Sequence, residues 1–392
     1  MRAGILLAAA LLLVSLSPRE RVGVRGLPSP RVSSPATSLA FPRDHGAHPA
    51  AAVEWWYYTG HLQDRAGREY GFQVTFFRVH ELHLAHFAWT DAARGTFLYE
   101  EKMHLSLPGI ASAAEGALDL TNEDWSAQER AGSHRLRVSG KAGRLEVTLR
   151  AVKPPTLHGE NGLSRKGAGA REFSRYVSIT RLAVSGSLTR GKHSEPLSGT
   201  AWFDHEWGPG VLPAEAVGWD WFALQLEDGS ELMLYRMRRK QGGATPFSSG
   251  TFVPKNGAPV VIAWSDIRLT ETGTWKSSRT RAVYPSGWRI TVPRLRLDVA
   301  VEPLLRAQEL VTQESTGVTY WEGACRVRGT QQGRPINGRA YAELTGYAGR
   351  DLPGLGADYS FSERFATLRS LLRPVSFVSS VTRNVRASRR FR

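Results

Sequence analysis

The sequence predicts an all-β protein made of two related antiparallel β-barrel domains. The chain of 392 residues is rich in glycine (39) and tryptophan (12), and amphipathic helical patterning is scarce before residue 360. One set of strand-like segments also recurs 164 residues further along the chain. A long series of strands without helices must hide its edges, and closing each sheet into a barrel does so. A barrel of about eight strands can hold one small lipophilic ligand.

The N-terminus is typical of an export signal. Met1-Arg2 precedes an apolar run at 5–16 that is too short to span a bilayer. We predict a signal peptide or an uncleaved N-terminal anchor at 1–17, and a disordered Pro-, Ser- and Arg-rich linker at 18–45. The protein is therefore expected to be exported, either periplasmic or secreted. Its single cysteine, Cys325, excludes a disulfide-stapled scaffold.

The positive charge lies at the two ends of the chain. Of the formal net charge of +15, residues 1–43 contribute +5 and residues 364–392 contribute +8, which leaves +2 for the body. A nearly balanced body argues against a nucleic-acid-binding surface. We predict a basic C-terminal tail at 351–392. It is either solvated or a membrane-surface segment attracted to anionic lipid.

The first domain is predicted at 46–212 and opens on an aromatic hairpin. The segment 53–62 contains Trp55, Trp56 and Tyr57, and a turn at 64–67 leads into an alternating strand at 70–78. Further strands are expected at 84–90, 96–105, 117–120, 134–138, 144–152, 176–188 and 198–204.

The second domain is predicted at 213–350 as a copy of the first. WWYYTGHLQD at 55–64 aligns with WDWFALQLED at 219–228, and GTAWFD at 199–204 aligns with GRAYAE at 338–343. Each copy thus opens on a Trp-x-aromatic strand and closes on a strand that carries an acid. The two closing acids are Asp204 and Glu343.

Three titratable residues stand in a row at the end of the first copy. On a strand, Asp204 and Glu206 share one face, and His205 points the other way. A carboxylate beside the aromatic surface of Trp202 or Trp207 has a raised pKa, because desolvation disfavours its charged form. Such a group is either a proton donor near neutral pH or part of a structural polar network, and the residues alone favour neither.

Four motifs in this order resemble a known family: EWWYYTGHL at 54–62, AHFAWTD at 85–91, DHEWG at 204–208 and GWDWF at 218–222. Together they resemble the carotenoid 1,2-hydratase/AttH-like family, and within it the branch of predicted secreted hydrolases. The resemblance covers about residues 45–350. It implies two lipocalin-like β-barrel domains that arose by internal duplication.

The resemblance also implies a reaction, the addition of water across the double bond of an acyclic isoprenoid. It makes Asp204 or Asp220 the acid, and His205 the residue that activates water. A structural pairing of Asp220 with an arginine such as Arg236 is the alternative. The side chains expected to contact the ligand are Trp55, Trp56, Tyr57, His86, Tyr176, Trp207, Trp219 and Trp221. Across the junction we expect His205 and Trp207 to face Asp220.

Two further groups of residues have other interpretations. The glycine-punctuated loop at 158–167 is either a loop at a barrel mouth or a mobile surface loop, and Lys166 with Ser174 has no recognised hydrolase spacing. His80, His83 and His86 recur every three residues, so on a strand they cannot all face one metal. No metal or cofactor site is expected.

The sequence leaves two functions open. The first is a hydratase-like or hydrolase-like enzyme that acts on a lipophilic substrate, an isoprenoid or another lipid, near the domain junction. The second is a non-catalytic lipid-binding or carrier protein of the cell envelope. The expected partner in both cases is a lipophilic small molecule.

Overall fold

The computed structural model describes residues 38–348. Within this range it contains 25 β-strands and no α-helix, and it confirms the predicted fold class of two tandem lipocalin-like barrel domains. Short 3-10 helices lie at Arg43–His45, Trp264–Asp266 and Pro293–Leu295. The predicted signal or anchor and the basic tail lie outside the described residues, as does most of the linker. Asp44 and His45 are already buried, so ordered structure begins before the predicted boundary at 45.

The first sheet contains 13 strands. They are β1 (Val53–Gln63), β2 (Glu69–Val79), β3 (Leu82–Asp91), β4 (Thr96–Leu105), β5 (Ala111–Ala113), β6 (Asp119–Asn122), β7 (Trp125–Arg130), β8 (Ser133–Gly140), β9 (Gly143–Ala151), β10 (Thr156–Leu157), β11 (Leu163–Arg165), β12 (Phe173–Arg190) and β13 (His193–Gly208). The hydrogen-bonded order is β4-β3-β2-β1-β13-β12-β9-β8-β7-β6-β5, and β10 and β11 pair with β12. Buried aromatic and aliphatic side chains fill the interior of this nearly closed barrel.

The second sheet contains 10 strands in the order β17-β16-β15-β14-β25-β24-β22-β21-β18, with β23 beside β24. They are β14 (Ala216–Leu226), β15 (Glu231–Arg239), β16 (Ser249–Val253), β17 (Val260–Ala263), β18 (Arg268–Glu271), β21 (Trp288–Val292), β22 (Leu297–Pro303), β23 (Glu309–Val311), β24 (Thr319–Gln331) and β25 (Arg334–Thr345). A separate pair joins β19 (Thr274–Lys276) and β20 (Val283–Pro285). The domain boundaries 46–212 and 213–350 stay predictions, and both sheets belong to one compact unit of the chain.

The strand registers agree with the repeat in the sequence. Tyr57 on β1 lies opposite Asp204 on β13, and Trp221 on β14 lies opposite Glu343 on β25. These are the positions that the alignment of the two copies equates. In both domains, the opening strand therefore pairs antiparallel with the closing strand, aromatic residue against acid.

Strand β13 is buried on both faces from Ala201 to Trp207. Phe203 packs into the core of the first barrel, whereas Trp202, on the other face, packs with side chains of the second sheet. A strand with a barrel interior on one side and a second domain on the other has no solvated face, which explains the apolar and aromatic character of the whole segment.

Each domain also sends a loop onto the other. The loop at 153–172 reaches the second sheet, where His158 Nδ1 lies 2.9 Å from Thr251 Oγ1. The loop at 304–318 reaches the first sheet, where the Thr90 hydroxyl donates to Gln308 Oε1 at 2.7 Å. These reciprocal contacts lock the two barrels together. Among the described residues no helix has the length and hydropathy needed to cross a membrane.

Candidate functional site

Aromatic side chains from both domains meet between the two sheets. We call this group the junction cluster; its buried aromatic members are Tyr57, Tyr176, Trp202, Trp221, Tyr235 and Tyr341, and the half-buried Trp55 and Trp219 lie at its margin. The rings of Tyr57 and Trp221 come from opposite domains and meet edge to face, with centroids 5.3 Å apart. The cluster is therefore a continuous aromatic surface shared by both copies of the repeat.

Asp204 is the acidic centre of the cluster. Three side chains donate hydrogen bonds to its carboxylate: the Tyr176 hydroxyl at 2.6 Å, the Trp202 indole at 2.6 Å and the Ser178 hydroxyl. The Tyr176 oxygen in turn accepts a hydrogen bond from Trp221 Nε1 at 2.8 Å. A chain of hydrogen bonds thus joins the acid of the first domain to an aromatic ring of the second.

Burial raises the pKa of Asp204 to about 7, because desolvation outweighs the three hydrogen bonds that favour its charged form. The charge of Glu206 on the same face raises it further. A carboxyl group with a pKa near neutrality exchanges its proton under ordinary conditions, as a general acid or base must.

Lys166 and Glu206 form an ion pair beside Asp204. The Lys166 ammonium lies 3.0 Å from Glu206 Oε1 and over the rings of Tyr235 and Tyr176, at 4.4 Å and 5.3 Å from their centroids. Burial on its own lowers the pKa of Lys166, but the negative charge of Glu206 reverses this and raises it. A cation held this way makes the electrostatic potential beside Asp204 and Glu206 more positive.

A second chain of hydrogen bonds reaches Asp204 from the loop at 153–172. His158 Nε2 lies 2.6 Å from the Ser178 hydroxyl, which donates to Asp204. Burial lowers the pKa of His158 to about 3, and the charge of Lys166 lowers it further. The ring is therefore neutral, and it fixes the orientation of the serine. The interpretation of this loop as a mobile surface loop is wrong at His158, Ser164 and Lys166, whose side chains are largely buried.

The second copy of the repeat contributes Glu343. The Trp219 indole donates to its Oε1 at 2.8 Å. Burial raises the pKa of Glu343 to about 8, and the charges of Asp204 and Glu206 raise it further. At neutral pH this carboxyl group is therefore mostly protonated.

Glu322 lies next to Glu343 across the strand pair β24–β25. The Tyr57 hydroxyl donates to Glu322 Oε2 at 2.8 Å. Burial, followed by the charge of Glu343, raises the pKa of Glu322 well above its usual range. Within residues 38–348, Glu322 Oε1 and the Tyr341 hydroxyl are buried without a hydrogen-bond partner.

The structure does not bring His205, Trp207 and Trp56 into the junction cluster. His205 points into the first domain, where its Nε2 lies 2.9 Å from Glu54 Oε1 and its ring stacks on Trp56. Trp207 stacks on His48 with ring centroids 3.9 Å apart. The expectation that His205 and Trp207 face Asp220 across the junction is wrong, because alternate residues of β13 point to opposite faces.

Asp220 also points away from the junction. Its carboxylate accepts from Arg236 Nε at 2.7 Å, from Arg238 Nε at 3.1 Å and from the Tyr347 hydroxyl at 3.0 Å. The structural alternative, pairing with Arg236, is therefore confirmed. Two guanidinium groups hold this carboxylate in ion pairs.

His86 lies in another part of the domain interface. Its Nδ1 is 2.6 Å from the Tyr320 hydroxyl, and its Nε2 is 2.8 Å from the Ser315 hydroxyl. Burial lowers the pKa of His86 to about 3, so its ring is neutral. Both ring nitrogens are used to join the domains.

Of the predicted site residues, the structure brings six together: Trp55, Tyr57, Tyr176, Asp204, Trp219 and Trp221. Sequence reasoning did not place His158, Lys166, Ser178, Glu206, Glu322 or Glu343 in the site. The repeat identified Glu343 as the residue equivalent to Asp204, and this equivalence would have been sufficient to place Glu343 in the site. No signal in the sequence showed that the loop at 153–172 folds inward.

One group in the described part of the chain has the composition of a metal site. It consists of His48, Glu54 and His205, whose ligand atoms all lie within 4.8 Å of one another. It lies on the face of β13 opposite Asp204.

Comparisons with known proteins agree with this architecture. The family model described as AttH-like matches residues 32–347. The crystal structure of an AttH protein from Nitrosomonas europaea is 36% identical, with a TM-score of 0.74 over 80% of this chain and 98% of that chain. Kievitone hydratase from Nectria haematococca is 16% identical, with a TM-score of 0.66 over 79% of this chain and 93% of that chain. No curated protein matches the chain.

A third solved structure, CghA with Sch210972, is 13% identical, with a TM-score of 0.52 over 76% of this chain and 88% of that chain. At this level of identity, the likenesses to kievitone hydratase and to CghA concern the fold.

Proposed function

This chain belongs to the AttH-like family, and from that premise we propose that it hydrates a lipophilic alkene at the junction of its two domains. A hydratase with the same fold supports the reaction class. The observation that carries the proposal is the buried carboxyl group of Asp204, which has a pKa of about 7 and is hydrogen-bonded to a tyrosine at an aromatic surface.

Hydration of an alkene needs a proton donor and a means of stabilising a carbocation. Protonated Asp204 meets the first need. The hydrogen bond that Tyr176 donates to the Asp204 carboxylate reverses when Asp204 carries the proton, so Asp204 then donates to the Tyr176 oxygen and the Tyr176 hydroxyl can turn to the substrate. The rings of Tyr57 and Trp221 meet the second, because the face of an aromatic ring attracts a cation. Dry surroundings strengthen both effects.

The reaction proceeds in two steps. Asp204 gives its proton to the Tyr176 oxygen while Tyr176 gives its own to one alkene carbon, so the π electrons form the new C–H bond and the other carbon becomes a tertiary cation. A water molecule then forms a C–O bond to that cation. Its surplus proton returns through Tyr176 to the Asp204 carboxylate, and the enzyme regains its starting state.

The substrate is proposed to be an acyclic isoprenoid or a similar lipid. The margin of the junction cluster is apolar and half-buried, and includes Trp55, Leu212, Trp219 and Phe247. An apolar margin beside a buried polar centre is typical of a site for a ligand that is mostly hydrocarbon.

The test is to incubate the purified protein with an acyclic isoprenoid alkene and to look for a product one water heavier. We expect turnover by the wild type, and a loss of about 10²–10⁴-fold in Asp204→Asn. Asp266→Asn is the control, because that carboxylate is exposed on the second domain. Turnover that survives Asp204→Asn would exclude the proposed acid.

The same experiment separates the enzyme from a carrier. A carrier would show saturable quenching of tryptophan fluorescence by the isoprenoid, with no product in the wild type. This is the expected outcome if the family fold serves lipid binding alone.

We propose further that the protein is exported, on the strength of its basic start and the apolar run at 5–16. Cell fractionation and mass measurement of the mature N-terminus test this. A cytoplasmic protein that retains Met1 would contradict it. The proposed membrane contact of the basic tail is tested by sedimentation with anionic vesicles, using a chain truncated after 350 as the control.

A further inference from the structure

His48, Glu54 and His205 meet where the segment at 40–52 packs against the end of the first barrel. His48 Nδ1 lies 2.8 Å and His205 Nε2 lies 2.9 Å from the same carboxylate oxygen, Oε1 of Glu54. Glu54 and His205 are fully buried, whereas the His48 side chain is 24% exposed. Three potential ligand atoms therefore converge on one point that can be reached from the surface.

The hydrogen bonds of His205 leave a lone pair at this point. Its Nδ1 lies 3.1 Å from the backbone carbonyl oxygen of Asp44, which can only accept, so Nδ1 carries the proton. In a neutral imidazole, Nε2 then has a lone pair, and it faces Glu54 Oε1, which also has only lone pairs. A metal cation between the two atoms removes this conflict, as a proton on Nε2 also would.

Both histidines have the surroundings of metal ligands. A metal-bound histidine usually donates its other ring N–H to a carbonyl or a carboxylate. For His205 this acceptor is the Asp44 carbonyl. The Asp44 carboxylate lies 3.8 Å from His48 Nε2, which is an ion-pair distance and not a hydrogen bond. The rings are held in place by stacking, His205 on Trp56 and His48 on Trp207.

The remaining oxygen of Glu54 is also fixed. Arg78 donates to Oε2 from Nη2 at 2.9 Å and from Nε at 3.1 Å. Oε1 is thereby oriented towards the two histidines. The negative charge of Glu54 faces the point of convergence, and Arg78 contacts the other oxygen of this carboxylate. The Asp44 carboxylate lies beside Nε2 of His48, on the opposite side of that ring.

We propose that His48, Glu54 and His205 bind one divalent transition metal ion of the Zn²⁺ type. Bonds of about 2.0–2.1 Å at tetrahedral angles separate ligand atoms by about 3.3 Å. The Glu54 oxygen would move slightly away from the two histidine nitrogens, now 2.8 Å and 2.9 Å from it, and all three ligand atoms already lie within 4.8 Å of one another. Two imidazoles and one carboxylate are a donor set that Zn²⁺ accepts, with a fourth position left for water on the side of His48.

The ion would fasten the segment at 40–52 to β13, directly behind Asp204. Its role is structural, because His205 and Asp204 point to opposite faces of the strand. The proposal does not depend on hydratase activity.

The test is titration of the full chain with Co²⁺, which reports tetrahedral coordination by visible absorption, together with elemental analysis of the Zn²⁺-loaded protein. We expect one ion per chain and a melting temperature that rises with Zn²⁺. His48→Ala should weaken binding by about 100-fold or more and abolish the rise. His193→Ala is the matched control, since that histidine is exposed on a hairpin.

Two results would overturn the proposal: no Co²⁺ bound at equimolar protein, or unchanged stoichiometry and affinity in His48→Ala. Glu54→Gln is the second variant, and circular dichroism shows whether it is folded. His48 is partly exposed and lies on the segment at 40–52, outside the barrel cores. His48→Ala therefore leaves those cores intact and decides the question if Glu54→Gln unfolds.

Discussion

The two halves of the junction are built from equivalent strand pairs, but their acids, Asp204 and Glu343, accept different numbers of hydrogen bonds. Asp204 accepts three hydrogen bonds, from Tyr176, Trp202 and Ser178. At the equivalent position, Glu343 accepts one from a side chain, the Trp219 indole. The first half also has Glu206 and its lysine partner, and the second half has Thr345 at that position.

Both copies of the repeat have an acid at the position where the closing strand meets the opening strand, while the surroundings of the two acids differ. In the first half, hydrogen bonds oppose burial, and the pKa of Asp204 stays near 7. In the second half this opposition is weaker, and the carboxyl groups of Glu343 and Glu322 stay protonated. Of the two closing acids, Asp204 has the lower pKa, about 7 against about 8 for Glu343, and is therefore the one that loses its proton more readily near neutral pH.

The largest expected effect is on catalysis. Asp204→Asn should lower kcat by about 10²–10⁴-fold, because it removes the group that exchanges the proton. Glu343→Gln should lower kcat by less than about tenfold, since a neutral amide resembles a carboxyl group that is already protonated. Steady-state kinetics with the isoprenoid alkene as substrate measure kcat for both variants. Equal losses in the two variants would contradict the asymmetry of the halves.

The next effect is on the ion pair that the second half lacks. Lys166→Met should destabilise the protein by about 3–5 kcal/mol, because Glu206 is left as a buried charge without its partner. Urea unfolding measures the loss. Lys192→Met, in the hairpin between β12 and β13, is the control, expected within about 0.5 kcal/mol of the wild type. A stable Lys166→Met variant would mean that water reaches Glu206.

A third effect is a pH dependence of stability. The folded protein binds the Asp204 proton more tightly than the unfolded chain does, since burial raises the pKa from 3.8 to about 7. This stabilising contribution is full below about pH 4 and is lost as the pH rises to 7, by at most about 4 kcal/mol.

Asp204→Asn should flatten this part of the stability curve, which denaturation at a series of pH values measures. The catalytic rate of the wild type should fall above pH 7 for the same reason, because the active form is protonated. A curve of unchanged slope in the variant would show that another group is responsible.

The smallest effects on stability are expected from substitutions of two buried tyrosines. Tyr176→Phe should cost about 1–3 kcal/mol, because the Trp221 indole loses its acceptor and Asp204 loses a donor. Tyr341→Phe should be nearly neutral, since its hydroxyl has no partner within residues 38–348. Thermal unfolding of the two variants gives the comparison. A large loss in Tyr341→Phe would reveal a partner such as bound water.

Much of the fold could be predicted from sequence. Alternating strand segments predicted the all-β fold class, and the recurrence of WWYYTG as WDWFAL predicted the repeat. Both were predictable because periodicity and aromatic spacing are local properties of the sequence. The same local reasoning placed Asp204 and His205 on opposite faces, and it predicted the direction of the pKa of Asp204.

The site was only partly predictable. Tyr57, Tyr176 and Trp221 were expected to contact a ligand, and the structure places them together around Asp204. His205 and Asp220 were expected to face each other, but each points into its own domain. The error arose because His205 and Asp220 lie on consecutive strands, β13 and β14, and closeness along the chain was taken for closeness of the side chains in space.

The sequence by itself determined the strands, the repeat and the equivalence of Asp204 with Glu343, since these depend on residues close together in the chain. The tertiary structure alone decided which face of each strand meets the other domain. It also brought Lys166 and His158 from a distant loop to the acid. Contacts between sheets depend on how two whole surfaces fit, and that fit sets the burial that raises the pKa of Asp204.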